Sequence, residues 1–575
     1  MRIRLKIPVA GLIAASAAAS LHAQDTLGEP VPCSGQTVSD IVIRTEPPAL
    51  GEMGRRSRFA ARIVRSVHAT TKPAVVRRLV IQGIGAQCSE LARAESERIL
   101  RAQPFIAEAT ITPHATADGS VVLEVVTVDE LEWLVDVGVR GQSPFVNRVR
   151  LGNANIAGEA IALQGVWSAA GGPYRDTFGA RFMDYQLLGR PYQLMLAGTR
   201  RPLGGDWTAV AGHAFLTDLQ RVAWRTATGE RSEYVALLRE TADAPSVRIK
   251  RSFTDVGGIV RVGAPGRLSL FGASYTREYD SGDNEFIQIT RTGLLKDSTV
   301  VTDSIRPYRS GRINGLWGVR NIHFLRVTGF DALSATQDVR EGFQLGLLGG
   351  RSLAVLGSEN DDIFLSADTY FGIGSPKTFA ALQVQGEGRQ DYNTNRWDGI
   401  LGSGRGAAYH RFTARQTLLL DGEWSGGWRQ RLPFQLTLGD ERGGVRGYRD
   451  SQSAGGQRAV GRIEDRWYLG RIRALADFGI APFFDAGRLW AGDAVFGVNT
   501  PVRMGAGISL LAAVPPRSKR LFRLELGYPI ANKDPHAKFE IRLTATDLTR
   551  VFWDEPGDVK RSRESTVPTS IFNWP

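Results

Sequence analysis

The chain reads as an all-β membrane protein, a sixteen-stranded antiparallel transmembrane β-barrel that carries a small N-terminal α+β domain. Three observations predict that class. Between residues 131 and 552, segments of about ten residues alternate apolar with polar or small side chains, the length and period of a tilted membrane-crossing strand. No stretch after residue 23 approaches the ~18–20 consecutive apolar residues of a transmembrane helix. The faces opposite the apolar ones carry Arg, Glu, Gln and Gly, which are costly in a dry sandwich core and acceptable in a water-filled lumen.

The elements follow in chain order. Residues 1–23 have the form of a secretory signal peptide: Arg2, Arg4 and Lys6 precede an alanine-rich apolar stretch over 7–21, and Ala23 stands ahead of Gln24. Removing them lowers the formal net charge from +12 to +9. A basic surplus can mark a nucleic-acid partner. Export argues against that, and Arg interleaved with Tyr and Trp suits the headgroup girdles of a membrane barrel. Cys33 and Cys88 are the two cysteines, and in an oxidising compartment a disulfide between them is favoured over two small buried apolar residues. Cys33 lies well beyond the apolar stretch, which argues against a lipoprotein.

The texture is mixed before residue 130. Residues 37–44 alternate and predict a strand, 58–68 predict a helix, and 74–82 suit either. Residues 89–103 are helix formers, with Glu97 and Arg101 at i,i+4, and stop at Pro104. Two alternating stretches, 106–112 and 120–128, are joined through Asp118-Gly119, a hairpin signal. Residues 24–129 thus form one small domain, a sheet with helices on one face behind an N-terminal extension.

The barrel is assigned to 130–552 and a C-terminal tail to 553–575. In 521–530, Phe522, Leu524, Leu526 and Tyr528 point one way while Arg523, Glu525 and Gly527 point the other. Residues 538–545 repeat this with Phe539, Ile541 and Leu543 against Glu540, Arg542 and Thr544, and 379–387 set Leu382 and Val384 against Gln383, Gln385 and Glu387. No fixed-period repeat appears, which argues against a propeller or stacked sandwiches. Roughly 420 residues at about 26 per strand and loop give sixteen strands, an even number as bacterial barrels have.

One constellation carries the functional reading. Residues 439–448 form a glycine-rich loop around Arg446, and about forty residues later Phe483, Asp485 and Gly487 stand in a short apolar run. A guanidinium offers five donors in a planar fork and keeps its charge, so it can bridge two carboxylates and fasten a loop inside a lumen. Gly444 and Gly447 let the backbone turn beside it. In this order the two motifs resemble those of the BamA/TamA superfamily, outer-membrane barrels that insert or translocate other proteins.

The resemblance can be followed residue by residue. Val445-Arg446-Gly447-Tyr448 matches the superfamily's V-R-G-[FY] in the long loop that folds into the lumen, and Phe483, Asp485 and Gly487 match its F-x-D-x-G strand. Ile463-Glu464-Asp465-Arg466 matches the acidic-x-Arg strand, Gly505-Ala506-Gly507 the next glycine pair, and Leu524 to Pro529 the penultimate strand. The match covers about 430–545. It implies sixteen strands, and roles for Arg446, Asp485 and Glu464 as a structural latch. The hairpin, Asp118-Gly119 followed by Leu123 and Val125, resembles the close of a POTRA domain, the periplasmic module that precedes such barrels.

Two departures stand out. Members usually end on the aromatic residue of the last strand, whereas here a polar tail follows. Either that tail tucks into the periplasm or Phe572-Asn573-Trp574 takes over the assembly signal. There is also a single POTRA-like module, and the 58–68 helix is read as part of it, with a pore-plugging helix as the alternative.

By resemblance the chain inserts or translocates client proteins at the outer membrane. Its expected partners are the bilayer, an unfolded client, and periplasmic chaperones or assembly partners; no cofactor and no metal are expected. The alternative is a passive pore or structural barrel. An outer-membrane hydrolase is the least favoured, because His68, His114, His213, His323, His410 and His536 show no metal-ligand spacing and no Gly-x-Ser-x-Gly accompanies them.

Overall fold

Strand-forming segments account for most of the chain in a computed structural model that describes residues 27–48, 69–139, 146–169, 176–240, 243–290, 293–297, 305–440, 442–472, 475–547 and 555–563. The signal-peptide reading, the 58–68 helix and Phe572-Asn573-Trp574 lie outside the described residues.

The N-terminal sheet has four strands, β1 (Ser34–Glu46), β2 (Gln87–Ser89), β3 (Ile106–Ala115) and β4 (Val121–Asp129), in the order β2-β1-β4-β3. β3 and β4 form the antiparallel hairpin. At its tip Gly119 takes φ 79, which glycine adopts without strain. Thr116 and Ser120 donate to the Asp118 carboxylate and hold its pKa down at about 2, so their grip on the turn loosens only as pH falls from the ordinary carboxylate range toward that value. β1 lies parallel to β4, a pairing that alternation alone does not reveal. Two helices cover one face: α1 (Pro73–Arg77), with Pro at its start, and α2 (Glu90–Arg101), whose N-cap Ser89 accepts from the Ala92 amide. Their apolar sides, Val75, Val76, Ile99 and Leu100, meet Val38, Leu123 and Val125 in one core.

Cys33 and Cys88 are joined in a disulfide that ties the start of β1 to β2 across a sequence separation of 55. Replacing both with serine is expected to destabilise this domain by about 2–4 kcal/mol, chiefly by freeing the unfolded chain. Thiol labelling of the denatured, unreduced protein should find no free thiol; two labelled cysteines would contradict the bridge.

The rest is a closed antiparallel barrel. Among the described residues its ring holds twenty strands, beginning with β5 (Trp133–Val139) and closing on Glu540–Asp547, with the four-residue strand Leu294–Asp297 as an annex to the 23-residue strand Arg267–Ile289. This corrects the expectation of sixteen. Six strands of seven to ten residues fill the stretch from Trp133 to His213, two of their connections tightened into 3-10 turns at Ile156–Gly158 and Leu187–Gly189. A uniform strand-and-loop length therefore undercounts them. The fourteen strands from Val222 onward are mostly longer.

The outward faces are apolar. Ile313 and Trp317, Phe371 and Ile373, Ile463 and Trp467, and Ile508 and Leu510 all stand exposed. The inward faces hold Arg312, Asn314, Thr276 and Glu278, all buried. This is the inverse of a soluble sandwich and the pattern of a barrel in lipid. No described helix is long and apolar enough to cross a membrane.

The N-terminal domain sits against one mouth of the barrel. Arg101 pairs with Asp338 at 2.9 Å, Arg326 reaches Glu97 at 2.8 Å, and Ser518 donates to Glu130 at 2.5 Å. The described part of the tail, residues 555–563 with α3 (Gly557–Ser562), lies inside the lumen against the barrel wall rather than in the periplasm.

Candidate functional site

Between the strands Gln416–Trp428 and Gln457–Ile472 the chain folds into the lumen rather than away from it. The two-residue strands Leu436–Thr437 and Ala454–Gly455 pair and narrow the neck of this loop. Asp440 then starts a tight turn, its carboxylate accepting the amides of Arg442 at 2.9 Å and Gly443 at 2.8 Å, while the Gly444 amide donates to the Asp440 carbonyl at 3.0 Å. A Cβ at Gly444 would lie 2.3 Å from the Leu438 carbonyl oxygen, so this turn admits only glycine in its present shape.

The turn delivers Arg446 to the inner wall. Its Nε and Nη2 donate to the two oxygens of Asp485, each at 2.7 Å, and its backbone amide donates to the same carboxylate at 3.1 Å. Nη1 donates to Glu525 at 2.9 Å and reaches Glu464 at 3.5 Å. The guanidinium lies over the Phe483 ring, 3.3 Å from its centroid. Asp485 is fully buried and Arg446 is 8% exposed, so bidentate pairing, a third donor and the ring face all act with little competition from solvent.

Glu464 is shared: Arg523 donates to it at 2.6 Å and Arg466 at 2.5 Å. Around Arg446 the wall thus carries a network of alternating charge. On the next residue Gly447 has φ 97 and gives its amide to Glu540 at 2.8 Å. Tyr448, fully buried, donates its hydroxyl to the Ala531 carbonyl at 2.6 Å.

Three glycines on successive strands clear a trough for this loop. A Cβ at Gly487 would lie 2.6 Å from Val445 Cγ2, at Gly505 2.1 Å from the Arg446 carbonyl oxygen, and at Gly527 3.2 Å from Arg446 Cβ. Leu438, Val445 and Tyr448 then close an apolar cluster with Leu489 and Val460 of the wall.

The structure brings together Arg446, Gly447, Tyr448, Gly444, Asp485, Phe483 and Gly487, and places Glu464 at the network's margin with Arg446 and at its centre with Arg523. Glu525 and Glu540 belong to this network without any motif that marks them. Their signal is an acid and an arginine two apart on inward faces, Arg523 with Glu525 and Glu540 with Arg542, the same spacing as Glu464 with Arg466.

Beneath the loop, toward the N-terminal domain, lies a chamber of about 1020 Å³. Sixteen of its lining side chains are Arg or Lys and six are Asp or Glu, so it is a cationic space even though several arginines pair with acids. Among the described residues no group of three or more His, Cys, Asp or Glu is placed to hold a metal ion.

No protein-family model matches the chain, and no curated protein matches it. Solved structures give distant likenesses. BamA from Haemophilus ducreyi lacking POTRA domains 1-3 aligns at 14% identity over 89% of this chain and 84% of its own, with a TM-score of 0.37. CdiB from Escherichia coli aligns at 13% over 89% and 77%, with a TM-score of 0.45. The FrpB iron transporter from Neisseria meningitidis aligns at 10% over 76% and 86%, with a TM-score of 0.36. Values this low establish neither kinship nor a shared function.

Proposed function

We propose that this chain is an outer-membrane protein of the BamA/TamA superfamily that inserts or translocates client proteins, with its N-terminal POTRA-like domain in the periplasm and Arg446 latching the lumen loop to Asp485. The observation that carries the reading is the three-donor contact of Arg446 with Asp485 inside a closed barrel whose exterior is apolar. A buried arginine that keeps its charge holds a loop in place through every stage of client passage without taking part in chemistry.

Two further features support client handling. A client strand can be received only where sheet hydrogen bonds are open. The outer edge of β3 is closed, because Glu97 accepts the Ile111 amide, Arg93 donates to the Ile111 carbonyl, and Arg101 and Lys519 donate to the Ala109 and Ile106 carbonyls. β1 beyond Thr37 has no strand on its outer side among the described residues, so it is the receiving edge. The barrel's seam joins β5, seven residues long, to Glu540–Asp547, eight residues long, so it is short beside the later strand pairs and is the place where the barrel would open sideways. Arg520 spans it, donating to the carbonyls of Leu131 at 2.6 Å and Trp133 at 3.2 Å.

Purified protein in liposomes, migrating faster unboiled than boiled on a gel, should accelerate the folding of an added unfolded barrel client. Ion conductance without that acceleration would leave a passive pore, and recovery as a soluble periplasmic protein would remove the barrel from the membrane altogether.

A further inference from the structure

The tail residues 555–563 make contacts that a solvated extension would not make. Asp558 accepts from both terminal nitrogens of the buried Arg458, at 2.5 and 3.1 Å, and from the Thr437 amide of the lumen loop at 3.3 Å. Arg458 also pairs with Glu423 of the neighbouring strand at 3.2 Å. Arg563 donates to Glu387 at 3.1 Å and to the Ser403 hydroxyl at 2.9 Å, and it pairs with Glu555 of the tail itself at 2.9 Å. Between these ionic ends Val559 is fully buried among Leu436, Leu438, Val445 and Leu401. Acid, apolar residue and base along nine residues each meet a complementary group, which is how a peptide occupies a site.

The segment also spans the space. Arg251 donates to the Arg561 carbonyl at 2.9 Å, and its strand, Ser246–Ala264, stands eight strands round the ring of twenty from the Arg458 strand, close to the opposite wall. Asp558, Arg561 and Ser562 line a cavity of about 190 Å³ on one side, whereas Lys560 faces the large cationic chamber on the other. Tail and loop together therefore partition the lumen.

We propose that the barrel wall around Arg458, Glu423, Glu387, Ser403 and Arg251 is a peptide-binding site whose resident ligand is the chain's own segment 555–563, and that this occupancy keeps the lumen closed. The proposal rests on the reading that the barrel spans a membrane, and it is independent of whether a client is inserted. It also assigns the tail a binding partner within the same chain: the ligand recognised is a short stretch with a carboxylate, an apolar residue and an arginine in that order.

The test is the conductance of the protein in planar lipid bilayers, without client. A chain ending at Asp554, shown to be barrel-folded by its heat-modifiable migration, is expected to hold an open current several-fold above that of the full chain. A synthetic peptide of residues 555–563 should close it again, and the same peptide with Asp558→Lys should not. In the full chain Asp558→Arg should open the current by repelling Arg458, and the swap Arg458→Asp with Asp558→Arg should restore closure. Equal conductance of the full chain, the shortened chain and Asp558→Arg would overturn the proposal, whatever the liposome assay says about clients.

Discussion

Arg446→Ala is expected to leave the barrel inserted and to release its lumen loop. The substitution orphans Asp485, which is fully buried, and removes a counter-charge from Glu525. Breaking one partner of a buried pair typically loses ~3–5 kcal/mol, against ~0–1 for an exposed pair. The anchorage should fall by about that larger amount, because both side-chain donors to Asp485 vanish with little solvent to replace them and only the backbone amide remains. Protease cleavage within 440–450 should rise sharply and acceleration of client folding should be lost, while heat-modifiable migration persists. Lysine at 446 would keep the charge without the fork that engages both oxygens of Asp485, so it should rescue only in part.

Gly505→Val should reach the same state by a different route, with Arg446 and every carboxylate intact. A Cβ at position 505 would lie 2.1 Å from the Arg446 carbonyl oxygen, and the obstacle is backbone rather than the end of a flexible side chain. Either the loop lifts or the strand Arg503–Ala513 shifts, at a cost of about 1–3 kcal/mol or more. The expected outcome is again increased cleavage within 440–450 in a barrel that remains assembled. Gly461→Val is the control: nothing lies within 4 Å of a Cβ there, so the loop should stay protected. Loss of assembly in Gly505→Val with a protected loop would mean that the glycine serves strand pairing and not the trough.

How far these features can be read from the amino-acid order depends on the range over which each is encoded. Strand alternation is local, so the barrel class and segments such as 521–530 are legible. The lumen turn is legible because Gly444, Arg446 and Gly447 occupy adjacent positions whose backbone and charge requirements are unusual together. Arg446 and Asp485 are 39 residues apart, yet the glycines and aromatics flanking each mark them as partners of different elements. Glu525 and Glu540 join the site only through closure of the ring, across 79 and 93 residues, and nothing in the chain order pairs them with Arg446 or Gly447. Strand number failed for a related reason. The six short strands from Trp133 to His213 turn back within a few residues, and their length is set by neighbours in the ring. The tail misled most. It reads only as polar, because the partners of Asp558 and Arg563, Arg458 and Glu387, lie 100 and 176 residues away on the inner wall.

The central claim is that Arg446 and Asp485 act as one unit, and a double-mutant cycle on the unfolding free energy of the barrel in lipid tests it most directly, with loop cleavage followed in parallel. If they form one latch, Arg446→Ala and Asp485→Ala each cost several kcal/mol and expose 440–450, and the double variant is little worse than either single one. Costs that simply add, with a loop that stays protected in either single variant, would mean that the two residues do not hold the loop together.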